Sequence, residues 1–576
     1  MKSKLYIAII LCVAFASQSC EDFLEEKLVS DVSASSYYTT AQGFEDAVHA
    51  TYWWNKPFFG PERGFTLSVF GTDTYTEGAD GGHKVYNRYD GGLNPQQRQV
   101  RDTWRDFYRG INQANAVINR SQTLEISESL KTARIAEVRF LRAMFYFMLT
   151  SHYGDVHLTL EETEGVEIEA NRTGIEEVYS QAIIPDLEFA ISNLPDAQSD
   201  FGRATKPAAE FLLGKALLRR SHRTNNKGDA SRAEGLFSNV INNYGFALLE
   251  NYADLWTIGN EQHSEIIWTI QNSKTQVDEG LDGQGHRGHL YFLFEYDVRP
   301  GMTRDINNGR PWKRFRPTDF TLGLWDRNMD SRYYKSYKHT WYSNNAGTIP
   351  TWSADDAAKG YGTAGEPKFA LGDTALYIPG PQFEDEWDDD RIQAAPYTVY
   401  TKEKDYCFSC VTHLRVFPSM NKWIDDTRPD RQKTQGQRDY VFMRLGEAYL
   451  LRAEARLLND DKQGAADDIN IIRSRGAAKA GENINGKIVA ADQTAAMQIT
   501  ADMVDIDYIL DERARELIGE GHRWMDLTRT GKLVERVRLH NPVGGANIQD
   551  YHTVRPIPQD QIDRTLGGYA QNPGYQ

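Results

Sequence analysis

The chain has 576 residues, 40% of them hydrophobic and 25% charged, a composition that predicts a folded protein with a well-buried core. Its formal net charge is -16, and it contains no dense run of lysine and arginine. Because binding to a phosphate backbone requires a basic surface, the charge argues against nucleic acid as a partner.

The first 19 residues have the layout of a secretory signal peptide. Lys2 and Lys4 precede an apolar run, residues 5–16, which is shorter than the roughly 20 residues of a membrane-spanning helix. Cys20 then follows small and polar residues. This position predicts a lipoprotein whose Cys20 thiol carries diacylglycerol; an ordinary cleaved signal with a coincidental cysteine is the alternative. Several acyl chains, at about 0.8 kcal/mol per buried CH₂, would anchor the protein to a membrane.

Helical periodicity dominates two parts of the mature chain, about residues 100–270 and 438–540. The segment AEVRFLRAMFYFMLTSHYGD is apolar on most of its girth, so we expect a helix buried between neighbours that stops at Gly154. Pro185 is expected to kink a later helix. Hairpins with small residues at their contact points suggest tetratricopeptide-like packing, but the strict 34-residue period is absent, and simple antiparallel bundling is the alternative.

Two stretches, about residues 58–99 and 271–437, interrupt the helical pattern and are rich in Gly, Asp, Tyr and Trp. Long loops in compact proteins usually carry function or are disordered, and the aromatic content here favours order. Alternation in HLYFLFEYD, residues 289–297, predicts a strand whose aromatic rings are more often core. Trp325 falls in a helical pattern and is also expected in the core.

The middle stretch also contains two weak metal signals. Cys407 and Cys410, in CFSC, could form half of a zinc site with His413, but no second pair of ligands exists in the sequence. A small-loop disulfide or two free thiols is favoured in an exported protein. The acidic loop FEDEWDDDR could hold a structural Ca²⁺, although it lacks EF-hand spacing, and a solvated loop is the favoured reading. No cofactor or metal site is therefore predicted.

Five stretches of the sequence form a pattern, in this order along the chain: ARIAEVRFLRAMFYFMLTSHYGDV, GRATKPAAEFLLGKALL, YVFMRLGEAYLLRAEA, ERARELIGEGHRWMDLTRTGKL and IPQDQIDRTLGGYAQNPGY. Together they resemble the SusD/RagB family, whose members are surface lipoproteins of Bacteroidetes. The similarity extends from Cys20 to the last residue and predicts a single domain, residues 20–576. The acids that follow Cys20 resemble a tract that sends some such lipoproteins to the outer face of the outer membrane.

The resemblance implies a mostly α-helical fold, in which four tetratricopeptide-like hairpins form a scaffold for loop-rich insertions with minor β structure. Members of this family cap a SusC-like TonB-dependent β-barrel transporter and capture oligosaccharide, or peptide in RagB-like cases, without known catalysis. We therefore expect a lipid-anchored outer-membrane protein that faces the cell exterior and binds a glycan. Peptide capture is the first alternative.

In such a family the loops rather than the hairpins supply the ligand surface. Flat aromatic rings cover the apolar CH face of a sugar, while polar side chains bond its hydroxyls. The alternative for each ring is that it packs its own loop down. The candidate glycan-binding residues are Asp73, Tyr75, His83, Lys84, Tyr86 and Tyr89 in the first insertion, and Trp312, Arg314, Trp341 and Trp352 in the second.

A glycoside hydrolase is the rival from another class, and it would need two carboxylates about 5 to 9.5 Å apart that flank a cleft. The acids and bases of GEGHRWMDLTRTGKL could suggest catalysis, but no activated group is recognisable there. We instead expect Arg523 to pair with Asp526, and Trp524 and Leu527 to pack inward, which would lock the C-terminal helix to the scaffold.

Overall fold

The computed structural model describes residues 40–163, 165–272 and 285–575. The predicted signal peptide and the predicted lipidation site, Cys20, lie outside these residues. In the described residues, no helix combines the length and apolarity needed to cross a bilayer. The helices of eight residues or more are α1 Ala41–Trp53, α2 Arg98–Arg120, α3 Glu128–Tyr153, α4 Ile184–Asn193, α5 Lys206–Thr224, α6 Lys227–Asn243, α7 Leu445–Leu458, α8 Lys462–Gly476, α9 Ile506–Glu516 and α10 Leu533–His540.

Short elements account for the rest of the regular structure in the described residues. The short helices are Glu62–Ser68, Val85–Arg88, Ile175–Val178, Gly288–Tyr291, Asp319–Gly323, Arg332–Ser336, Ala354–Ala358, Asp389–Ala394, Arg523–Arg529, Pro542–Gly545 and Gln559–Arg564. The strands are β1 Tyr75–Glu77, β2 Ile266–Ile270, β3 Phe315–Pro317, β4 Tyr337–Lys338, β5 Thr340–Tyr342, β6 Thr374–Tyr377, β7 Thr398–Val399, β8 Ser419–Met420, β9 Tyr440–Arg444, β10 Asn483–Ile484 and β11 Lys487–Ile488. The fold is therefore mostly α with minor β, as predicted.

The long helices pack in a row from α1 to α8, each against the next along the chain. The row is continuous even between α6 and α7, which are separated by the loop-rich middle of the sequence. The loop-rich middle of the chain leaves the row of helices and returns to it at the same place, because β2 pairs antiparallel with β9, and β9 runs directly into α7. Two residues connect α5 to α6, so these two helices form a tight hairpin.

Glycines set the closest contacts between neighbouring helices. A Cβ atom at Gly110 of α2 would lie 2.6 Å from the ring of Phe145 on α3. A Cβ atom at Gly214 of α5 would lie 2.7 Å from the ring of Phe237 on α6. Such contacts leave no room for a larger residue, which is why small residues recur along these helix faces.

Helix α3 is the buried helix that its sequence predicts. From residue 136 to residue 153 every side chain except Arg139 is buried. Gly154 ends the helix with a φ of 79°, in the left-handed region that favours glycine. Buried Arg142 bonds both oxygens of Asp186 on α4 at 2.7 and 2.8 Å, which joins these helices.

The predicted irregularity at Pro185 is present one residue into α4. A π-helical turn, Tyr179–Ile183, immediately precedes α4 and follows the short helix Ile175–Val178. Because the proline cannot donate an amide proton, the pattern of backbone hydrogen bonds along the helix changes at this point.

Two of our expectations for secondary structure and scaffold extent are wrong. HLYFLFEYD forms no strand; its first residues belong to the short helix Gly288–Tyr291, and turns follow. Its aromatic rings are buried, as is Trp325, so the interpretation of both as core residues is confirmed. The predicted scaffold also omits α1, although Phe44, Ala47 and Val48 pack against α2.

A buried network of ion pairs ties the C-terminal helices to the rest of the fold. Arg444 bonds Glu265 at 2.9 Å, Glu516 at 2.7 Å and Glu520 at 2.7 Å, and all four side chains are fully buried. Arg332 bonds Glu512 at 2.7 Å. The network includes residues from the loop-rich middle, from β9 and from α9, so it fixes the insertions to the scaffold.

The predicted pair of Arg523 with Asp526 is wrong. Arg523 instead bonds Asp73 in the first insertion, with Nε 2.7 Å from the carboxylate, and Asp526 bonds Arg513 at 2.9 Å. Trp524 and Leu527 are buried, as expected. The segment therefore locks to the first insertion through a bond that spans 450 residues of sequence.

Candidate functional site

Six of the ten candidate glycan-binding side chains are buried, so the expectation that they face a ligand is wrong. These are Asp73, Tyr75, Tyr86, Tyr89, Trp341 and Trp352. Their rings and carboxylate hold the insertions together, which is the alternative that the sequence left open.

Hydrogen bonds show what the buried members of the first insertion do. Asp73 accepts from Arg523 and Arg536, the hydroxyl of Tyr75 lies 2.9 Å from that of Tyr337, and Tyr89 donates to the Gly71 carbonyl at 2.8 Å. Burial would raise the pKa of Asp73, but the two guanidiniums hold it below its usual value. Asp73 is therefore a charged structural link.

The two buried candidate tryptophans of the second insertion, Trp341 and Trp352, have different contacts. Trp341 lies in β5 with its ring edge-to-face on Phe294, with the ring centres 4.9 Å apart. Its neighbour Tyr342 points the other way along the strand and is 60% exposed. The ring of Trp352 lies under the ammonium of Lys368, which is 4.4 Å from the ring centre.

The other four candidates, His83, Lys84, Trp312 and Arg314, are partly exposed, and we call them the Trp312 cluster. Pairing of β1 with β3 sets Glu77 opposite Phe315, so the loops that extend from these strands run side by side. The Gly78 amide donates to the Arg314 carbonyl at 2.9 Å. A side chain at Gly78 would clash with the backbone of residue 313, so only glycine allows this approach.

Two arginines lie close to the indole of Trp312. The guanidinium carbon of Arg314 lies 4.9 Å from the ring centre, and that of Arg310 lies 5.8 Å away. Arg314 is held in place by Glu62 at 2.9 Å. Cation–π contacts of this kind fix the ring while one part of it stays accessible to solvent.

Polar side chains lie on the first loop, which runs beside the loop that carries this ring. Lys84 donates to the Ala79 carbonyl at 3.3 Å, and the Nε2 atom of His83 lies 2.9 Å from the Gln99 amide nitrogen at the start of α2. Burial lowers the pKa of His83, which keeps the imidazole neutral near pH 7. The arrangement offers a partly exposed aromatic ring with hydrogen-bond donors and acceptors on the neighbouring loop.

A disulfide lies beside the first loop. Cys407 and Cys410 form a disulfide, so the hypothesis of a zinc site is wrong and the predicted small-loop disulfide is confirmed. The loop is adjacent because the Ala79 amide donates to the Leu414 carbonyl at 2.8 Å. Phe408 and Val411 on this loop are exposed, at 42% and 100%.

The acidic loop binds its own neighbours. Asp388 caps the short helix that follows it, and Glu386 lies beside Lys487 and Arg391. Among the described residues, no group of three or more His, Cys, Asp or Glu side chains is placed to hold a metal ion.

Two clefts that our sequence analysis did not single out lie on the scaffold. One has a volume of about 670 Å³ and the other about 690 Å³, and Trp54 and Gln113 line both. The second cleft is also lined by Arg101, Arg105 and Arg109. The spacing of these arginines, every fourth residue on a helix, is a signal that the sequence contains and that could have drawn attention to it.

The family of the chain follows from comparison with known proteins. A profile described as the SusD family matches residues 264–575, and one described as starch-binding associating with outer membrane matches residues 22–218. The chain belongs to the SusD family. The resemblance of the five sequence stretches is therefore confirmed.

Relatives within the SusD family match most of the chain. SusD-like protein P25 of Formosa agariphila is 26% identical, over 99% of both chains, and the starch-binding protein SusD of Bacteroides thetaiotaomicron is 26% identical, over 81% of this chain and 77% of its own length. A solved laminarin-binding SusD-like protein superposes with a TM-score of 0.63 at 22% identity and covers 93% of this chain and 100% of its own. At that identity the likeness shows the fold, which is the SusD-like one.

Proposed function

We propose that this protein binds a glycan at the cell surface and that the Trp312 cluster contacts the sugar. The observation that carries the proposal is the partly exposed indole of Trp312 close to two arginines, on loops joined by β1 and β3. SusD-family relatives whose names describe starch or laminarin binding support the ligand class.

The chemistry of the cluster suits a saccharide. The apolar face of a pyranose ring can lie on the indole, while Lys84, Arg314 and His83 stand at hydrogen-bond range of hydroxyls around it. Because strand pairing and the Arg314–Glu62 ion pair already hold these groups, little side-chain freedom would be lost on binding.

The wider role that we propose is capture and transfer. Lipid on Cys20 would anchor the chain to the outer membrane with its body outside the cell, and the bound oligosaccharide or polysaccharide would pass to a SusC-like TonB-dependent transporter. The family description that mentions association with the outer membrane supports this location.

We propose binding without catalysis. Buried carboxylates that could be mistaken for a catalytic set are paired with cations: burial alone would raise the pKa of Glu512, but Arg332, Arg515 and Arg473 together lower it to about 2, and His222 and Arg529 contact Glu454. A general acid for glycoside hydrolysis needs the opposite shift, a raised pKa.

Replacement of Trp312 by alanine tests the site. Once a glycan array has found a ligand, we expect Trp312→Ala to weaken its binding by about 5- to 30-fold, which corresponds to about 1–2 kcal/mol of stacking. Tyr244→Ala, which removes a partly exposed ring at the end of α6, is the matched control and should leave the affinity unchanged. Isothermal titration calorimetry measures both.

Three outcomes would contradict the proposal. Unchanged glycan affinity of Trp312→Ala would show that the Trp312 cluster is not the binding site. Binding to a peptide panel and to no glycan would favour the peptide-capturing alternative. New reducing ends after incubation with a polysaccharide would show an enzyme.

A further inference from the structure

Three arginines form a row along one face of α2. Arg101, Arg105 and Arg109 are spaced four residues apart, so at 1.5 Å of rise per residue the row is about 12 Å long. Their side chains are 38%, 44% and 56% exposed. The row is therefore open to solvent along its length.

The row has more positive charge than its partners neutralise. Asp102 contacts Arg98, Arg101 and Arg105, and Asp106 contacts Arg63, Arg105 and Arg109. Five arginines thus share two buried aspartates, which leaves three positive charges in excess. In a chain with a formal net charge of -16, this is a local reversal of sign.

The arginine row lines a cleft of about 690 Å³ with an aromatic wall. Trp54 is partly exposed at its edge, with the guanidinium carbon of Arg109 5.7 Å from the ring centre. Trp104 donates to Gln561 at 3.0 Å and Tyr108 donates to the His157 carbonyl at 2.8 Å, which fixes the wall of the cleft. Arg564, on the far side, lies 3.8 Å from Asp560.

We propose that this cleft, which we call the Trp54 cleft, is a second saccharide site that accepts sugars bearing a carboxylate or a sulfate ester. The indole of Trp54 lies against the sugar face, and the arginine row binds the anionic groups. Guanidinium forks match the planar pairs of oxygens that carboxylate and sulfate present, so an arginine row favours acidic over neutral chains.

The proposal rests on the proposed function, because it assigns an acidic class of glycan to the same protein. The two sites are close along α2: Gln99, which contacts His83 of the Trp312 cluster, lies ten residues before Arg109, a helical distance of about 15 Å.

Matched pairs of oligosaccharides test the Trp54 cleft. The full chain is titrated with a polyuronate oligosaccharide and its carboxyl-reduced form, and with a sulfated oligosaccharide and its desulfated form. We expect at least one acidic member to bind about tenfold more tightly than its neutral counterpart, with a preference that falls as salt rises. Which pair shows the preference distinguishes carboxylate from sulfate.

Variants assign that preference to the cleft. Arg109→Gln and Trp54→Ala should each weaken binding of the acidic ligand about tenfold. Arg232→Gln removes the same charge from an exposed site on α6 and is the control for net charge. A thermal melt checks that each variant is folded; Arg109 contacts Asp106 only at 3.8 Å, so its loss should not disturb the helix.

The outcomes separate the two proposals. If neutral and acidic partners bind equally, or if Arg109→Gln and Arg232→Gln act alike, the Trp54 cleft is not an acidic-sugar site, while binding that depends on Trp312 leaves the proposed function intact. If no saccharide binds, acidic or neutral, both proposals fall.

Discussion

Replacement of Asp73 by asparagine should destabilise the protein without affecting its ligand affinity. Asp73 is fully buried, with its oxygens 2.7 Å from the Nε atoms of both Arg523 and Arg536. Asparagine keeps the shape but removes the charge and turns one acceptor into a donor that faces the guanidiniums. Removal of one partner from a buried pair costs about 3–5 kcal/mol, because the remaining charge is left uncompensated.

The size of the protein sets the expected change in melting temperature. With about 2.1 cal/mol/K of unfolding entropy per residue, a chain of this length has about 1.2 kcal/mol/K, so 3–5 kcal/mol lowers the melting temperature by about 2.5–4 °C. Scanning calorimetry resolves such a shift. Asp80→Asn is the matched control, because the Asp80 side chain is 45% exposed and pairs with Lys313 of the neighbouring loop; its loss should cost less than about 1 kcal/mol.

Unchanged stability with weaker ligand binding would refute the structural role of Asp73. If Asp73→Asn melts like the wild type but binds the glycan more weakly, Asp73 contacts the ligand, and the burial described above does not hold in solution. A loss of stability with unchanged affinity, measured on the folded fraction, supports the structural role.

Two further predictions concern acid sensitivity and helix contacts. Burial lowers the pKa of His152, His286 and His339 to about 3 in the folded protein, whereas the unfolded chain has a value of about 6.5. Below pH 6.5 only the unfolded chain takes up protons, so the free energy of unfolding decreases as the pH falls, by about 2 kcal/mol for each histidine at pH 5. Equal stabilities in urea unfolding at pH 7.5 and 5.0 would contradict this prediction. Gly214→Ala places a methyl group 2.7 Å from the Phe237 ring and should destabilise the protein by about 1–3 kcal/mol. Gly235→Ala, which has open space around it on α6, should stabilise the protein by up to about 1 kcal/mol. Equal effects of the two substitutions in denaturant titrations would argue against the α5–α6 contact.

The helical part of the fold was predictable because its signals are local. Each of these signals is contained within a few residues of sequence: apolar residues on all sides of α3, Gly154 at its end, and small residues at the hairpin contacts. The five family-like stretches lie mostly in these helices and in the C-terminal segment, so the SusD-family assignment depended on the same predictable part of the chain.

The candidate site was less predictable because exposure is a long-range property. Trp341 and Tyr342 are neighbours on β5, and alternation places them on opposite faces, but no local signal says which face meets the core. The contact of Trp341 with Phe294 and that of Asp73 with Arg523 join segments far apart in sequence. Aromatic content therefore did not distinguish the rings that pack into the core from those that face solvent.

The same distinction shows where binding chemistry can reside in this protein. The two tryptophans that we propose to contact a ligand are partly exposed, pack against the core and also lie beside an arginine: Trp312 beside Arg314, which is paired with Glu62, and Trp54 beside Arg109 in a cleft. Arginine is the residue that can support an indole and still bond the polar rim of a sugar. Loss of one arginine beside either ring should therefore weaken binding more than loss of a buried tryptophan that leaves the fold intact.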